Sequence, residues 1–298
     1  MAFGTGDYAQ LNYDRVAYDY DDLFGRHVAG PNARLTLELE LRPGERLADL
    51  ACGTGLNTVE MARLVAPGQV AGVDYSEGML AAARERAEED ELELSLVHAR
   101  AEEFIGGAAA GSFDVVSLRF ALAYLEWRHV LPRIGRMLRP GGRVGVLTSL
   151  SSSIPQFGEL YQRFRKSPEP AWKLFRHTNR SLPETWKIYR QLKDTFGEPR
   201  FIIQVPDRAE DVAQRLEAGG LAARSAWTET IRLWFGSGQE AVDWMVRSGY
   251  ATNQSLEAVG PVARRFLEAL FAAGMEDFRQ RRGIPLDLVV GGVVAARA

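Results

Sequence analysis

Residues 47–58 read LADLACGTGLNT, an apolar run ending in small residues and the turn Gly53-Thr54-Gly55. Leu47, Ala48 and Leu50 are spaced for a short strand buried on both faces. The glycines allow left-handed backbone and close approach of a ligand. Asn57 to Val65 then carries the three-to-four spacing of a helix. A buried strand, a glycine turn and a helix form the first step of a parallel α/β sheet.

The same rhythm continues outward. Strands are predicted at Val70–Asp74, Leu92–His98, Phe113–Leu118 and Val144–Thr148, with helices at Glu77–Glu89 and Arg128–Leu138. "APGQ" and "RPGGR" are turn sequences between them. Upstream, Tyr13, Ala17, Tyr20 and Phe24 mark an amphipathic helix, Pro31 breaks the pattern, and Asn32–Leu41 is a second helix. Downstream, 151–206 abandons the alternation for proline-punctuated, aromatic-rich helical stretches. A helix at Asp207–Ala218, a long strand at Leu221–Phe235, helices at Glu240–Ser248 and Leu256–Arg281, and a last strand at Leu286–Arg297 complete the chain. The expected fold is α/β: a Rossmann-like, seven-stranded, mostly parallel sheet with helices on both faces. A helical cap follows strand five, and extra helices lie near the C-terminus.

Composition narrows the function classes. The 298 residues are 46% hydrophobic and 25% charged, with a net charge of -3, so no basic balance points to nucleic acid. A single cysteine, Cys52, excludes an intramolecular disulfide and a multi-cysteine zinc site. The most apolar segment, Leu286 to Ala296, is shorter than the ~20 residues that span a bilayer. No histidine–carboxylate cluster has ligand spacing, so no metal is expected. These features predict a cytoplasmic protein with no membrane or nucleic-acid partner.

Asp74 ends the second strand, where an acidic side chain suits the two hydroxyls of a ribose. The dinucleotide fingerprint G-x-G-x-x-G would require glycine at position 58, which is Thr58. No lysine follows the turn, so a triphosphate-binding loop is excluded as well. The nucleoside is therefore attached to something other than a pyrophosphate.

Five segments in order, "LADLACGTG", "VAGVDYSEGMLAAARERA", "HARAEEF", "FDVVSLRFALAYL" and "LRPGGRV", resemble the class I S-adenosylmethionine-dependent methyltransferases. Within them the chain is most similar to the small-molecule group that includes the ubiquinone and menaquinone enzymes. The likeness covers roughly residues 13–150. It implies S-adenosylmethionine as cofactor and a final strand antiparallel to its neighbours. It implies that Asp49 orients the turn and that Ala51, Gly53 and Gly55 back the cofactor's amino-acid end. It places Asp74 on the ribose, Tyr75 and Met79 beside the adenine, Ala101 and Glu102 at its edge, and Arg119 and Phe120 facing the sulfonium. Tyr20 would cover the amino-acid end. The implied domains are 1–150 (lid helices and cofactor-binding core), 151–206 (substrate cap) and 207–298 (completion of the core with a helical insertion).

Two departures from the family pattern stand out. Arg100 occupies a position where many relatives have an aspartate that accepts the adenine amino group, and arginine only donates. Ala123-Tyr124 stands where several relatives have histidine, so a base at that place is not histidine here. The catalytic candidates are His177, in the aromatic cap, with Tyr20 and Tyr124. The expected activity is methyl transfer to a small-molecule acceptor, foremost to oxygen of an aromatic or polyketide-like secondary metabolite. Transfer to nitrogen or carbon is the first alternative, and a cofactor-binding pericyclase or isomerase the second. The sequence "SLRFALAYL" lacks the N/D-P-P-Y/F tetrapeptide of nucleic-acid methyltransferases. A monomer or homodimer is expected.

Overall fold

The computed structural model describes residues 5–166, 187, 190, 205–248 and 260–298. The chain forms two compact units. One contains residues 10–152, 204–231 and 289–298, and the other 1–9, 153–203 and 232–288.

The chain begins with helix α1 (Thr5–Leu23) and helix α2 (Ala29–Glu38). Strand β1 (Arg46–Leu50), helix α3 (Leu56–Val65), strand β2 (Gln69–Asp74), helix α4 (Glu77–Glu89) and strand β3 (Ser95–His98) follow. Next come helix α5 (Ala101–Gly107), strand β4 (Phe113–Arg119), helix α6 (Trp127–Met137) and strand β5 (Leu138–Ser149). Helix α7 (Pro155–Lys166), helix α8 (Ala209–Glu217), strand β6 (Leu221–Phe235), helix α9 (Gly238–Arg247), helix α10 (Gly260–Met275) and strand β7 (Ile284–Arg297) complete the described elements.

The seven strands form one sheet in the order β3-β2-β1-β4-β5-β7-β6. Strands β1 to β5 pair in parallel, and β7 runs antiparallel to β5, from Arg143 opposite Ala296 to Ser149 opposite Val290. The order reverses between β1 and β4, so a crevice opens at their carboxyl ends. One face of the sheet packs Ile105 of α5, Leu131 and Ile134 of α6, and Val212 and Leu216 of α8. The other packs Leu35 and Leu39 of the α2 region and Met61 and Val65 of α3. Strands covered on both faces explain why they read as continuous apolar runs rather than alternations.

Several elements differ from the sequence reading, among them strand β5, which begins at Leu138 and runs through the Pro140–Gly142 stretch read as a turn. Pro31 does not precede a helix but lies in the first turn of α2, where its missing N–H removes no intrahelical bond. Helix α5 has no counterpart in the sequence reading, because a seven-residue helix with two glycines carries too little periodicity. Strand β3 starts at Ser95 rather than Leu92.

The second unit has a core of its own. Phe157 stacks on Phe271 with ring centroids 3.9 Å apart. Arg232 is paired with Asp287 by two hydrogen bonds of 2.6 and 2.9 Å. Glu276 accepts from the Gly238 amide at the start of α9, at 2.7 Å. Among the described residues, no helix is long and apolar enough to cross a membrane.

Candidate active site

The glycine turn lies at the carboxyl end of β1, beside the point where strand order reverses. Ala51, Gly53 and Gly55 all adopt left-handed backbone, with φ of 55°, 57° and 76°. Their reasons differ. A Cβ on Gly55 would lie 2.9 Å from the Ala83 Cβ, so this glycine lets α4 pack against the start of α3. A Cβ on Gly53 would meet only the Met79 Sδ, at 4.0 Å. Gly53 is thus free of protein packing and leaves its backbone open to a ligand.

Asp74 fastens this turn to the next. One carboxylate oxygen accepts from the Gly53 amide at 2.8 Å and the other from the Ser76 amide at 2.9 Å. Burial raises its pKa above the usual carboxylate range, and the Ser76 and Gly53 N–H groups only partly offset this. A desolvated carboxylate with spare acceptor capacity is matched by two ligand hydroxyls.

Asp49 lies beneath the turn, 2% exposed. Burial raises its pKa, opposed by the Arg119 charge and by hydrogen bonds from Thr58 and Ser117. Thr58 Oγ1 donates to Asp49 at 2.6 Å. The residue whose side chain departs from the dinucleotide fingerprint is therefore the one that anchors this carboxylate. The guanidinium of Arg119, which the family likeness places facing the sulfonium, is hydrogen-bonded to protein acceptors. It donates to Ser117 Oγ (3.0 Å), to the Asn32 carbonyl and side-chain oxygens (3.0 Å each) and to Thr36 Oγ1 (2.9 Å). A cation held against a sulfonium would be repelled, whereas here it offsets the charge of Asp49.

Helix α1 is tied to the turn at two points seven residues apart, which places both on one helical face. Ser76 Oγ donates to Asp14 Oδ1 at 2.5 Å, and the Gly78 amide to the same oxygen at 3.0 Å. Thr54 Oγ1 donates to Asp21 Oδ1 at 2.8 Å, and Arg86 to Asp21 Oδ2 at 2.5 Å. Between these ties runs an arc of rings. Tyr124 meets Tyr13 edge-on at 5.6 Å, Tyr13 meets Tyr20 at 5.9 Å, Tyr20 meets Phe24 at 5.5 Å, and Phe24 meets Phe120 at 5.2 Å. Both ends of the arc lie just after β4, where Phe120 has a left-handed φ of 52°. A non-glycine residue held there is strained, as is common at working sites. The hydroxyls of Tyr13 and Tyr124 are hydrogen-bonded at 2.9 Å. Burial, then the neighbouring phenols and acidic groups, raises the pKa of both Tyr13 and Tyr20. This favours the neutral phenol at Tyr20.

At the other side of Asp74, the Arg100 guanidinium lies 4.0 Å over the Tyr75 ring. The His98 ring stacks on Tyr75 at 6.0 Å and its Nε2 is 2.9 Å from the Tyr75 carbonyl oxygen. Met79 and Ala101 are buried, and Glu102, which follows Ala101 in the first turn of α5, is half-buried. Burial pushes the Cys52 thiol well above its usual pKa, which makes it a packed residue rather than a nucleophile. His177 lies outside the described residues. Among the described residues no group of three or more His, Cys, Asp or Glu is placed to hold a metal ion. The sequence reading gave no role to Asp14, Asp21, Thr54 or Arg86, and noted Thr58 only as the absence of a glycine.

Comparison with known proteins decides the family. A family model described as a methyltransferase domain matches residues 47–142. A demethylmenaquinone methyltransferase of Staphylococcus aureus is 31% identical over 225 residues, covering 71% of this chain and 88% of the relative. The chain belongs to the class I S-adenosylmethionine-dependent methyltransferases. A second demethylmenaquinone methyltransferase, from Bacillus cytotoxicus, is 30% identical over 191 residues, covering 61% of the methyltransferase and 77% of the relative. Two solved structures share its fold. The YcgJ protein of Bacillus subtilis superposes with a TM-score of 0.53 at 15% identity, covering 89% of the methyltransferase and 97% of that chain. A phosphoethanolamine N-methyltransferase 2 of Haemonchus contortus, solved with S-adenosylhomocysteine, gives 0.55 at 16% identity, covering 99% and 60%. The cofactor of this methyltransferase is S-adenosylmethionine.

Proposed function

We propose that the methyltransferase binds S-adenosylmethionine across the glycine turn and transfers its methyl group to a small aromatic or polyketide-like acceptor, foremost on oxygen. The observation that carries this reading is the arc from Tyr124 through Tyr13, Tyr20 and Phe24 to Phe120, an aromatic wall beside a glycine turn where, among the described residues, only the Met79 Sδ comes within 4.0 Å of a Cβ built on Gly53. In this assignment Asp74 accepts the ribose hydroxyls, and Ala51, Gly53 and Gly55 back the amino-acid end. Asp49 sets the turn, Tyr75 and Met79 flank the adenine, and Ala101 and Glu102 border its edge. Tyr20 covers the amino-acid end, and Phe120 closes the methyl side.

The bound cofactor supplies an electrophilic methyl already activated by its sulfonium charge. The residues therefore align rather than activate, and alignment of this kind contributes about 7–11 kcal/mol to a bimolecular reaction. Aromatic faces also favour the sulfonium charge by cation–π attraction. The likeness to demethylmenaquinone methyltransferases supports a second reading in which the acceptor is a quinol-like ring, methylated on carbon or oxygen.

The test is incubation of the purified protein and S-adenosylmethionine with a panel of phenols, naphthols, quinols, aliphatic alcohols and amines. Products one methyl heavier from the aromatic members support the proposal. Products only from aliphatic alcohols or amines would overturn it.

A further inference from the structure

We propose that Arg119 is a positioning residue for the cofactor, which acts through Ser117 to hold the Asp49 carboxylate charged and fixed beneath the glycine turn. The inference rests on the assignment of that turn to S-adenosylmethionine. Its basis is a buried polar network under the crevice, on a sheet face that is otherwise apolar.

Ser117 lies opposite Asp49 in the β1–β4 pairing, and Arg119 follows on the same face, one step nearer the carboxyl ends of the strands. Towards the amino ends this face is filled by Leu47, Val115, Met61 and Val65. At the carboxyl ends it turns polar. Asp49, Ser117 and Arg119 are buried there with Thr58 of α3 and with Asn32 and Thr36 of α2. Replacing a buried ion pair with apolar side chains is often neutral or stabilising. The place of this network, directly under the turn, therefore points to the ligand rather than to stability.

The hydrogen bonds run in one direction. Arg119 Nε donates to Ser117 Oγ at 3.0 Å, and the Ser117 hydroxyl donates in turn to Asp49. Thr58 Oγ1 donates to the same carboxylate at 2.6 Å. The terminal nitrogens of Arg119 are held by α2, through the Asn32 carbonyl and side-chain oxygens at 3.0 Å each and Thr36 Oγ1 at 2.9 Å. The guanidinium is thus fixed by two elements, and its charge favours ionised Asp49. Around the pair, Glu60 of α3 favours the charged guanidinium, while Asp74 of β2 and the Cys52 thiol of the turn interact with Asp49. Asn32 and Thr36 bring no charge from α2. Of these groups only Arg119 is a cation. Without it, burial favours the protonated acid. A protonated Asp49 has lost the charge that complements the ammonium and sulfonium of the cofactor.

The test is calorimetric titration of the full chain with S-adenosylhomocysteine, from neutral to mildly alkaline buffer. The quantity read is the ratio of variant to wild-type affinity, which cancels titration of the ligand itself. Arg119→Met should weaken binding about tenfold at neutral pH, and the loss should shrink as the buffer becomes alkaline and Asp49 ionises again. Arg119→Lys, which keeps the charge, should lose less and vary less with pH. The double variant Asp49→Asn with Arg119→Met buries no charge. It should melt no lower than Arg119→Met, yet bind weakly at every pH. Wild-type affinity in Arg119→Met would overturn the proposal, as would a loss that is the same at every pH, or a lysine variant as weak and as pH-dependent as the methionine one. If thermal melts show that Arg119→Met does not fold, the double variant decides: weak, pH-independent binding supports the proposal and wild-type affinity overturns it. If the wild type itself does not bind S-adenosylhomocysteine, the assignment of the turn fails and this proposal with it.

Discussion

Gly53 and Gly55 are two residues apart with similar left-handed φ, yet replacing each with alanine should have opposite consequences. At either position an L-residue in left-handed backbone costs about 1–2 kcal/mol. The reduced entropy of the unfolded chain returns about 0.4–1 of that. For Gly53→Ala nothing is added, because the new Cβ has only the Met79 Sδ near it, at 4.0 Å. The net loss is about 1 kcal/mol, or about 2–4 °C in melting temperature. For Gly55→Ala the Cβ meets the Ala83 Cβ at 2.9 Å and its Cα at 3.0 Å. These atoms belong to α4 and cannot swing aside, so overpacking adds about 1–3 kcal/mol. The cofactor should show the reverse ranking. The methyl of Gly53→Ala occupies the space assigned to the cofactor and should weaken S-adenosylhomocysteine at least about tenfold, or about 1.4 kcal/mol. Thermal melting and titration calorimetry on the two variants read both quantities. Equal stability of the two, or wild-type affinity in Gly53→Ala, would refute this division of roles.

Thr58→Val removes the hydroxyl that bonds Asp49 at 2.6 Å and leaves a buried carboxylate short of a donor. A loss of about 1–3 kcal/mol in urea unfolding is expected, and an unchanged midpoint would contradict the anchoring role. Asp21→Ala frees the tie from α1 to Thr54 and Arg86, and stopped-flow dissociation of S-adenosylhomocysteine should accelerate several-fold; an unaltered rate would show that the tie does not hold the ligand. Because burial raises the Asp74 pKa, its charged form is lost above the usual carboxylate range. Cofactor affinity should therefore already fall in mildly acidic buffer, and Asp74→Asn should flatten that profile. At Asp114 burial alone would raise the pKa, but the Arg46 amide and the Arg139 and Arg46 side chains bring it below the usual value. Its contribution to stability is present above the ordinary carboxylate pKa and is lost as pH falls through the depressed one. Asp114→Asn should therefore reduce the acid sensitivity of the melting temperature.

The sheet was legible because its strands are covered on both faces and separated by strong turn signals. Val70–Asp74 and Glu77–Glu89 were readable to within a residue for this reason. The last strand was read from its residues, and its antiparallel direction was foreseen from family likeness alone. Around the turn, Asp74 and the glycines carry local signals in their position at strand ends. Asp14 and Asp21 do not. Their spacing of seven marks one face of α1, but their partners Ser76 and Thr54 lie 62 and 33 residues away. The partners of Arg119 were not legible for a similar reason. Its place after β4 suggested the sulfonium, while its guanidinium is claimed by Asn32 and Thr36 of α2, a packing relation invisible in sequence. Thr58 was read only as an absent glycine, and its hydroxyl acquires a purpose once the helix turn brings it over Asp49.

The most direct test of the central claim is titration calorimetry of the wild-type protein and Asp74→Ala with S-adenosylhomocysteine, using NAD as control. Micromolar binding to the wild type, none of NAD, and a loss in the variant of at least about 1.5 kcal/mol are expected from the charge-assisted bonds removed. Equal affinity of the two proteins for S-adenosylhomocysteine, or binding of NAD in its place, would contradict the assignment of the glycine turn and Asp74 to the cofactor.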